Sequence, residues 1–257
     1  FKSVFHLLCI YLVTIIDVDR FCADDKNTSG NLLIHLENNH EWDEYWKNKK
    51  RNTLLVYDLI AAFYRKFIIK RILDYFIRKQ FTKDAKLLHA GCGSGQVDVD
   101  LHSYVSITAI DISREALSFY KKVNKGVCEL LHGSIFEIPI ENESFDGVYN
   151  LGVLEHFSGE DIHNILIEFH RVLKPEGKIV IFWPPRYGLS VAALRIAHYI
   201  LNNLFKRSVS LHPDEPSLLK SRNQAEYFLK GSGFELIEYY FGIKDLFTQV
   251  VIVGQKV

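Results

Sequence analysis

The sequence has no methionine, only four cysteines and no net charge, its 31 Lys and Arg cancelling 31 Asp and Glu among 257 residues. Each scarcity excludes something. Nucleic-acid binders carry a basic excess or a basic face, so the balance argues against bulk affinity for nucleic acid. Cys9, Cys22, Cys92 and Cys128 are widely spaced and form no C-x-x-C pair. Neither a disulfide framework nor a zinc pattern follows from that arrangement, and reduced thiols in a cytoplasmic protein are expected. The apolar run Val4–Ile16 has 13 residues, too few for a spanning helix of about 20. No small-x-small cleavage site follows it closely, so a buried strand or helix is expected there. Phe at position 1 fits a processed or truncated start.

What is present is enough apolar material, 48% of residues, for one full core with a small appendage. Cys22–Asn31 is polar and rich in turn formers, a linker by composition. Thr53–Lys79 reads as a long amphipathic helix. Residues 47–83 carry eleven Lys or Arg against two Asp. Such a helix can lie on a membrane or partner, or pack on its own domain with lysines in solvent.

From Ala85 onward, strands and helices alternate. "AKLLHA", "VSITAID", "GVCELLHG", "SFDGVYNLG" and "KIVIFW" read as strands. "GQVDVDLHSY", "SREALSFYKKV" with Ser113 as N-cap, and "GEDIHNILIEFHRVLKPEG" read as helices between them. That order predicts a parallel sheet covered on both faces. "FELIEYYF" and "FTQVVIVGQKV" are separated by too short an interval for a helical crossover, so they should pair antiparallel. The organisation expected is an N-terminal extension over 1–45, a basic helical segment over 46–84, and an α/β domain over 85–257 with an insertion at 184–220.

The first strand runs into Gly91-Cys92-Gly93-Ser94-Gly95. Ligands of open parallel sheets bind at the carboxyl ends of strands. Glycines there permit positive φ and close approach of a ligand, and a helix from Gln96 would offer free N–H groups to an anion. Asp111 ends the second strand, where a carboxylate can take both ribose hydroxyls of a nucleoside. The spacing is G-x-G-x-G rather than the G-x-G-x-x-G of dinucleotide sites.

"LLHAGCGSG" resembles motif I of the class I S-adenosylmethionine-dependent methyltransferases, and "AIDIS" resembles the segment that carries their ribose-binding acid. "LLHGSIFEIPIENESFDGVYNLGVLEHF" is similar to the adenine-side loop, fourth strand and "LEH" segment, and "EFHRVLKPEGKIVIFWPP" to the "RVLKPGG" helix and fifth strand. The resemblance spans about residues 85–257 and is nearest the small-molecule, methyltransferase type 11 and ubiquinone-biosynthesis-like group. It implies a Rossmann-like, doubly wound α/β fold with a seven-stranded, mostly parallel sheet and an antiparallel last strand. An N-terminal helical extension and a helical lid insertion would flank it. It also implies S-adenosyl-L-methionine as cofactor, held by His89, Gly91, Cys92, Gly93, Gly95, Asp111, Ile112, Ser134, Ile135, Asn150 and Leu151.

Two positions depart from the family's pattern. His89 stands where an acid usually helps position the methionine amino group, and Ser134 where an Asp often pairs with the adenine amine. A cation at His89 would repel the ammonium, so either the imidazole is neutral there or another group takes over. Ser134 still offers an acceptor, and the Ile135 N–H can serve adenine.

Methyl transfer from a sulfonium needs alignment first, and a base if the acceptor is a hydroxyl. His156 in "GVLEHF" is the candidate catalytic base; the plainer alternative has it capping or packing the next helix. His163 and His170 lie seven apart, too far to share an ion without other ligands, so no metal is expected. "WPPRY" at Trp183–Tyr187 follows the fifth strand rather than the fourth, so it is not the motif of nucleic-acid base methylation. Gly188–Arg207 has an apolar surface too broad for a solvated helix. It should cover a small-molecule, sugar or lipid-like acceptor, meet a second copy of the chain, or touch a membrane. The competing readings are a cofactor-binding scaffold without turnover and an NAD-dependent oxidoreductase.

Overall fold

The computed structural model describes residues 42–47, 63–125, 128–188 and 215–257. The run Val4–Ile16, the linker Cys22–Asn31, the first part of the basic helix over 53–62 and the insertion over 189–214 lie outside the described residues. Seven strands form one sheet: β1 (Lys86–Ala90), β2 (Ser106–Asp111), β3 (Cys128–His132), β4 (Phe145–Leu151), β5 (Leu173–Trp183), β6 (Phe234–Tyr240) and β7 (Val250–Lys256). Their order is β3-β2-β1-β4-β5-β7-β6. β1 to β5 pair in parallel, whereas β7 is antiparallel to both β5 and β6. This is the Rossmann-like sheet that the sequence implied, with the antiparallel strand in its expected place. The order reverses beside β1, so a crevice opens between the ends of β1 and β4, where such folds hold ligands.

Helices cover both faces. A six-residue helix α1 spans 42–47, and α2 spans Lys70–Gln80. α3 (Arg114–Val123), α4 (Gly159–Val172) and α5 (Arg222–Gly231) follow. The Ser113 hydroxyl caps α3 by accepting from Ala116 N. Ser158 and Asp161 form a reciprocal capping box on α4. That helix stops at Val172 because Pro175, three residues on, disfavours a continuing helix.

The basic helix packs on the domain: Ile72, Leu73, Phe76 and Ile77 are buried in one core layer with Leu87, Ile107 and Val180. Its entry, Arg65–Ile69, is π-helical. Such a bulge often marks a functional site, and Tyr64, Arg65 and Ile69 here line the principal cavity.

One element differs from expectation. After Gly95 there is no α-helix; tight turns lead to a 3₁₀ turn at Leu101–Ser103. Gly95 N bonds Cys92 O, Asp98 N bonds Gly95 O, and Leu101 N bonds Asp98 O, each a three-residue closure. The reason is local: Asp98 turns inward and is fully buried, and the Val-Asp alternation of residues 97–100 has no helical period. No helix N-terminus faces an anion at this loop.

Candidate cofactor and acceptor site

Gly91, Gly93 and Gly95 all adopt positive φ, at 69°, 52° and 61°, a region costly for residues with a Cβ. They are not equivalent. A Cβ at Gly91 would lie 2.6 Å from Val153 Cγ2, and one at Gly95 only 2.3 Å from Tyr120 Cδ2. Those two glycines make room for the protein's own side chains. Only Gly93 presents its missing Cβ toward the cavity, where Trp46 Cζ2 is 3.1 Å away.

The cavity over this loop has a volume of about 470 Å³. The loop residues Gly91, Cys92, Gly93 and Gly95 form its floor, with His89 beneath. Asp111 and Ile112 stand on one side, Ser134 and Ile135 beyond them, and Leu151 and His156 on the β4 side. Of the residues implied for the site, Asn150 alone is not among the lining. Its side chain is fully buried behind the loop, where Nδ2 donates to Ala90 O at 2.7 Å and ties β4 to the end of β1.

Asp111 is nearly buried, and its oxygens accept from Gly93 N (2.8 Å) and Ser113 N (2.9 Å). Burial pushes its carboxyl above the ordinary carboxylate range, partly offset by those two N–H groups. A carboxylate has about four acceptor positions, so two remain for a diol. The acid therefore shapes the loop as well as facing the cavity.

Several lining residues carried no recognised signal. α1 brings Trp42, Tyr45 and Trp46 over the loop. It is anchored by Asp43 Oδ1, which accepts from Ser113 Oγ at 2.6 Å. Trp42 meets the His156 ring edge-on at 5.4 Å, and Trp46 tilts over Phe119. Two of the chain's three tryptophans within five residues, in "EWDEYWKN", was the available clue.

From the other side come Tyr64, Arg65, Glu215 and Gln249. Arg65 Nε donates to Gln96 Oε1; the Tyr64 hydroxyl bonds Thr248 Oγ1, and burial raises it to about 12.

Glu155, next to His156, is buried, and its Oε2 has no partner among the described residues. Burial pushes its carboxyl up to about 8, with the Glu215 charge adding to the rise.

The described ends of the 184–220 insertion are fastened together and to this wall. Pro185 bridges Leu219, Trp183 Nε1 donates to Ser217 O, and Ser217 Oγ donates to Phe157 O. His163 bonds Ser232 and His170 packs on Phe234. Among the described residues no group of three His, Cys, Asp or Glu could hold a metal ion.

This sheet order, with a three-glycine turn after β1 and an acid ending β2, is that of the class I S-adenosylmethionine-dependent methyltransferases. The chain is an enzyme of that class, with S-adenosylmethionine as its cofactor. Residues 88–181 match the family described as "Methyltransferase domain". The chain is 29% identical over 178 residues to a demethylmenaquinone methyltransferase of Chlorobaculum tepidum, covering 63% of this chain and 72% of that one. It is 27% identical over 221 residues to the ubiquinone/menaquinone biosynthesis C-methyltransferase UbiE of Geotalea daltonii, covering 72% and 83%. The fold matches the crystal structure of 1,6-didemethyltoxoflavin-N1-methyltransferase of Burkholderia thailandensis, which holds S-adenosylhomocysteine. The TM-score is 0.61 at 14% identity, over 91% of this chain and 93% of that one.

Proposed function

We propose that the chain methylates a small, apolar, ring-bearing or lipid-like acceptor, with His156 as the base that takes the acceptor's proton. The observation carrying this reading is the cavity wall facing the glycine loop. Trp42, Tyr45, Phe136, Phe157 and Phe182 line it, and His156 stands among them. Flat aromatic walls fit a flat apolar acceptor and exclude water. The named activities of the relatives on demethylmenaquinone agree with such an acceptor.

The residues fit the cofactor. Gly93 leaves open backbone at the cavity floor, Asp111 has acceptor positions left for the ribose hydroxyls, and Ile112, Ser134 and Ile135 form the adenine side. When bound, S-adenosylmethionine supplies an electrophilic methyl group. The protein's part is to align the acceptor, exclude water and accept the released proton at His156. The fastened ends of the insertion at Pro185 and Leu219 support its assignment as the acceptor-side cover.

The test separates binding from turnover. Asp111→Ala should weaken S-adenosylhomocysteine by about 1.5–3 kcal/mol, the range for hydrogen bonds to a charged group, in isothermal calorimetry. His156→Ala should leave that affinity within about twofold and lower kcat by about 10²–10⁴ in a radiolabelled methyl-transfer assay with a quinol acceptor. Unchanged kcat in His156→Ala would remove the base assignment.

The acceptor's apolar character suits access from a membrane surface on the cytoplasmic side. Phe63 and Ile243 are 61% and 72% exposed beside the cavity's Tyr64 wall. Leu246 and Phe247, both half exposed, sit in consecutive left-handed conformations (φ 59° and 57°). That is a strained way to hold two large apolar side chains in solvent. Lys66 lies 5.5 Å from the centre of the Phe67 ring, and Lys244 lies 3.5 Å from the centre of the Tyr75 ring. Basic and aromatic groups on one face complement an anionic bilayer. The chain should sediment with vesicles of phosphatidylcholine and phosphatidylserine, and high salt or Lys66→Glu with Lys244→Glu should release it. Self-association in place of sedimentation would assign this face to a second copy. Among the described residues no helix is long and apolar enough to cross a membrane.

A further inference from the structure

The turn that leads into β7 carries a buried polar atom at the cavity wall. Asp245 is fully buried, and its Oδ2 accepts from Thr248 N at 3.1 Å and from Gln249 N at 2.6 Å. Those two bonds fold residues 245–249 back on the acid, and Gln249 joins Tyr64 in the cavity lining. Gln249 Oε1 is buried there and has no partner among the described residues. A buried oxygen left unpaired is costly, so one at a cavity wall marks a place for a ligand's donor.

A run of hydrogen bonds fixes which way that amide points. Thr248 Oγ1 and Asp245 O lie 2.6 Å apart, and a carbonyl can only accept, so the threonine donates. Its single proton is then spent. The Tyr64 hydroxyl is therefore the donor in its bond to Thr248 Oγ1, and the Tyr64 oxygen keeps acceptor capacity alone. Gln249 also bonds that hydroxyl and favours its ionised form, as a donor does. The amide thus turns Nε2 to Tyr64 and leaves Oε1 unpaired.

The place in the sheet separates this oxygen from the cofactor's floor. Val250, the next residue, pairs with Trp183 at the end of β5. In the order β1-β4-β5-β7 it stands three strand spacings from the glycine turn, about 14 Å. Asp111 lies on the other side of that turn, at the end of β2. Phe182, opposite Val251, gives the cavity an apolar wall on the Gln249 side.

We propose that Gln249 determines specificity for the methyl acceptor, its Oε1 taking a hydrogen bond from a hydroxyl or N–H on the acceptor's ring. Gln249 is the binding residue; Tyr64 and Thr248 are positioning residues that hold the amide's direction. An ether or carbonyl oxygen in that place would face another oxygen and leave both unpaired. This rests on the reading of the cavity as the site of an apolar, ring-bearing acceptor.

The test is isothermal calorimetry at pH 7 on the full chain saturated with S-adenosylhomocysteine, with 1-naphthol and 1-methoxynaphthalene as probes. The two share a ring system, and only the first has an O–H to give. The wild type should bind 1-naphthol about five- to fiftyfold more tightly. Gln249→Leu, which keeps the bulk and removes the oxygen, should bring the two within about twofold by weakening 1-naphthol. Gln249→Glu keeps an oxygen acceptor and should keep the gap. Tyr64→Phe removes the partner of Nε2, so the amide can turn over and offer an N–H. The gap should then narrow because 1-methoxynaphthalene binds more tightly than to the wild type, a gain that loss of structure would not produce. Equal binding of the two probes by the wild type, or an unchanged gap in Gln249→Leu, would overturn the proposal. Failure of the wild type to bind either probe would instead refute the apolar, ring-bearing acceptor, and this subsite with it.

Discussion

Gly95→Ala is expected to destabilise the chain by about 2–5 kcal/mol, whereas Gly93→Val should act chiefly on cofactor binding. Both positions have positive φ, and each substitution bears about 1–2 kcal/mol of left-handed strain. They differ in what the new atoms meet. At Gly95 a Cβ lies 2.3 Å from Tyr120 Cδ2 and 2.5 Å from Asn124 Nδ2. Tyr120 is fully buried and bonded to Asp98, and Asn124 Nδ2 donates to Gly95 O at 2.9 Å. Neither can swing away cheaply, and overpacking of this kind costs about 1–3 kcal/mol more. At Gly93 the nearest atom is Trp46 Cζ2, 3.1 Å away in the cavity lining. A branched side chain there fills cofactor space without entering the core. Urea unfolding followed by circular dichroism should show the large shift for Gly95→Ala. Calorimetry should show lost S-adenosylhomocysteine binding for Gly93→Val. A Gly95→Ala protein as stable as wild type would mean the loop does not pack on Tyr120.

Glu155→Gln should remove a pH dependence of stability that the wild type shows between about pH 4.5 and pH 8. Burial lifts the Glu155 carboxyl to about 8 in the folded chain from its ordinary value of 4.5. The folded state therefore holds a proton that the unfolded state has released across that window. The unfolded chain binds fewer protons, so stability falls as pH rises, by about 1.4 kcal/mol per pH unit. The contribution is fully present below about pH 4.5 and lost as pH passes through about 8. Glutamine keeps the shape and carries no charge. Glu155→Gln should then match the wild type in mild acid and exceed it by a few kcal/mol near pH 8. Denaturant midpoints measured across that range would show it. Parallel curves for the two proteins would mean Glu155 is not held neutral.

Much of the sheet was legible in the sequence because its strands are buried on both faces and read as short apolar runs. Leu87, Leu88 and Ala90 in β1 are fully buried, as are Val251 and Val253 in β7. The antiparallel pairing of β6 and β7 followed from the short interval between them. Ser113, Asp111 and the three glycines each carry a local signal, and a local signal survives without knowledge of contacts. The segment after Gly95 was misread because its apolar residues suggested a helix, while the inward turn of Asp98 depends on His89 and Tyr120.

The sequence by itself determined the sheet, the place of the glycine turn at its switch point, and the acid that ends β2. These follow from periodicity, glycine conformation and strand order, all properties of neighbours along the chain. Tertiary structure alone decided which glycine faces the cavity and which two make room for Val153 and Tyr120. It alone brought Trp42 and Trp46 over the loop and set Glu155 beside His156 in a buried wall. It also backed His89 with Asp98, nine residues on, where no spacing rule joins a strand residue to a turn. Each of these depends on distances between side chains far apart in sequence or held by irregular backbone. Those distances exist only once the core has closed.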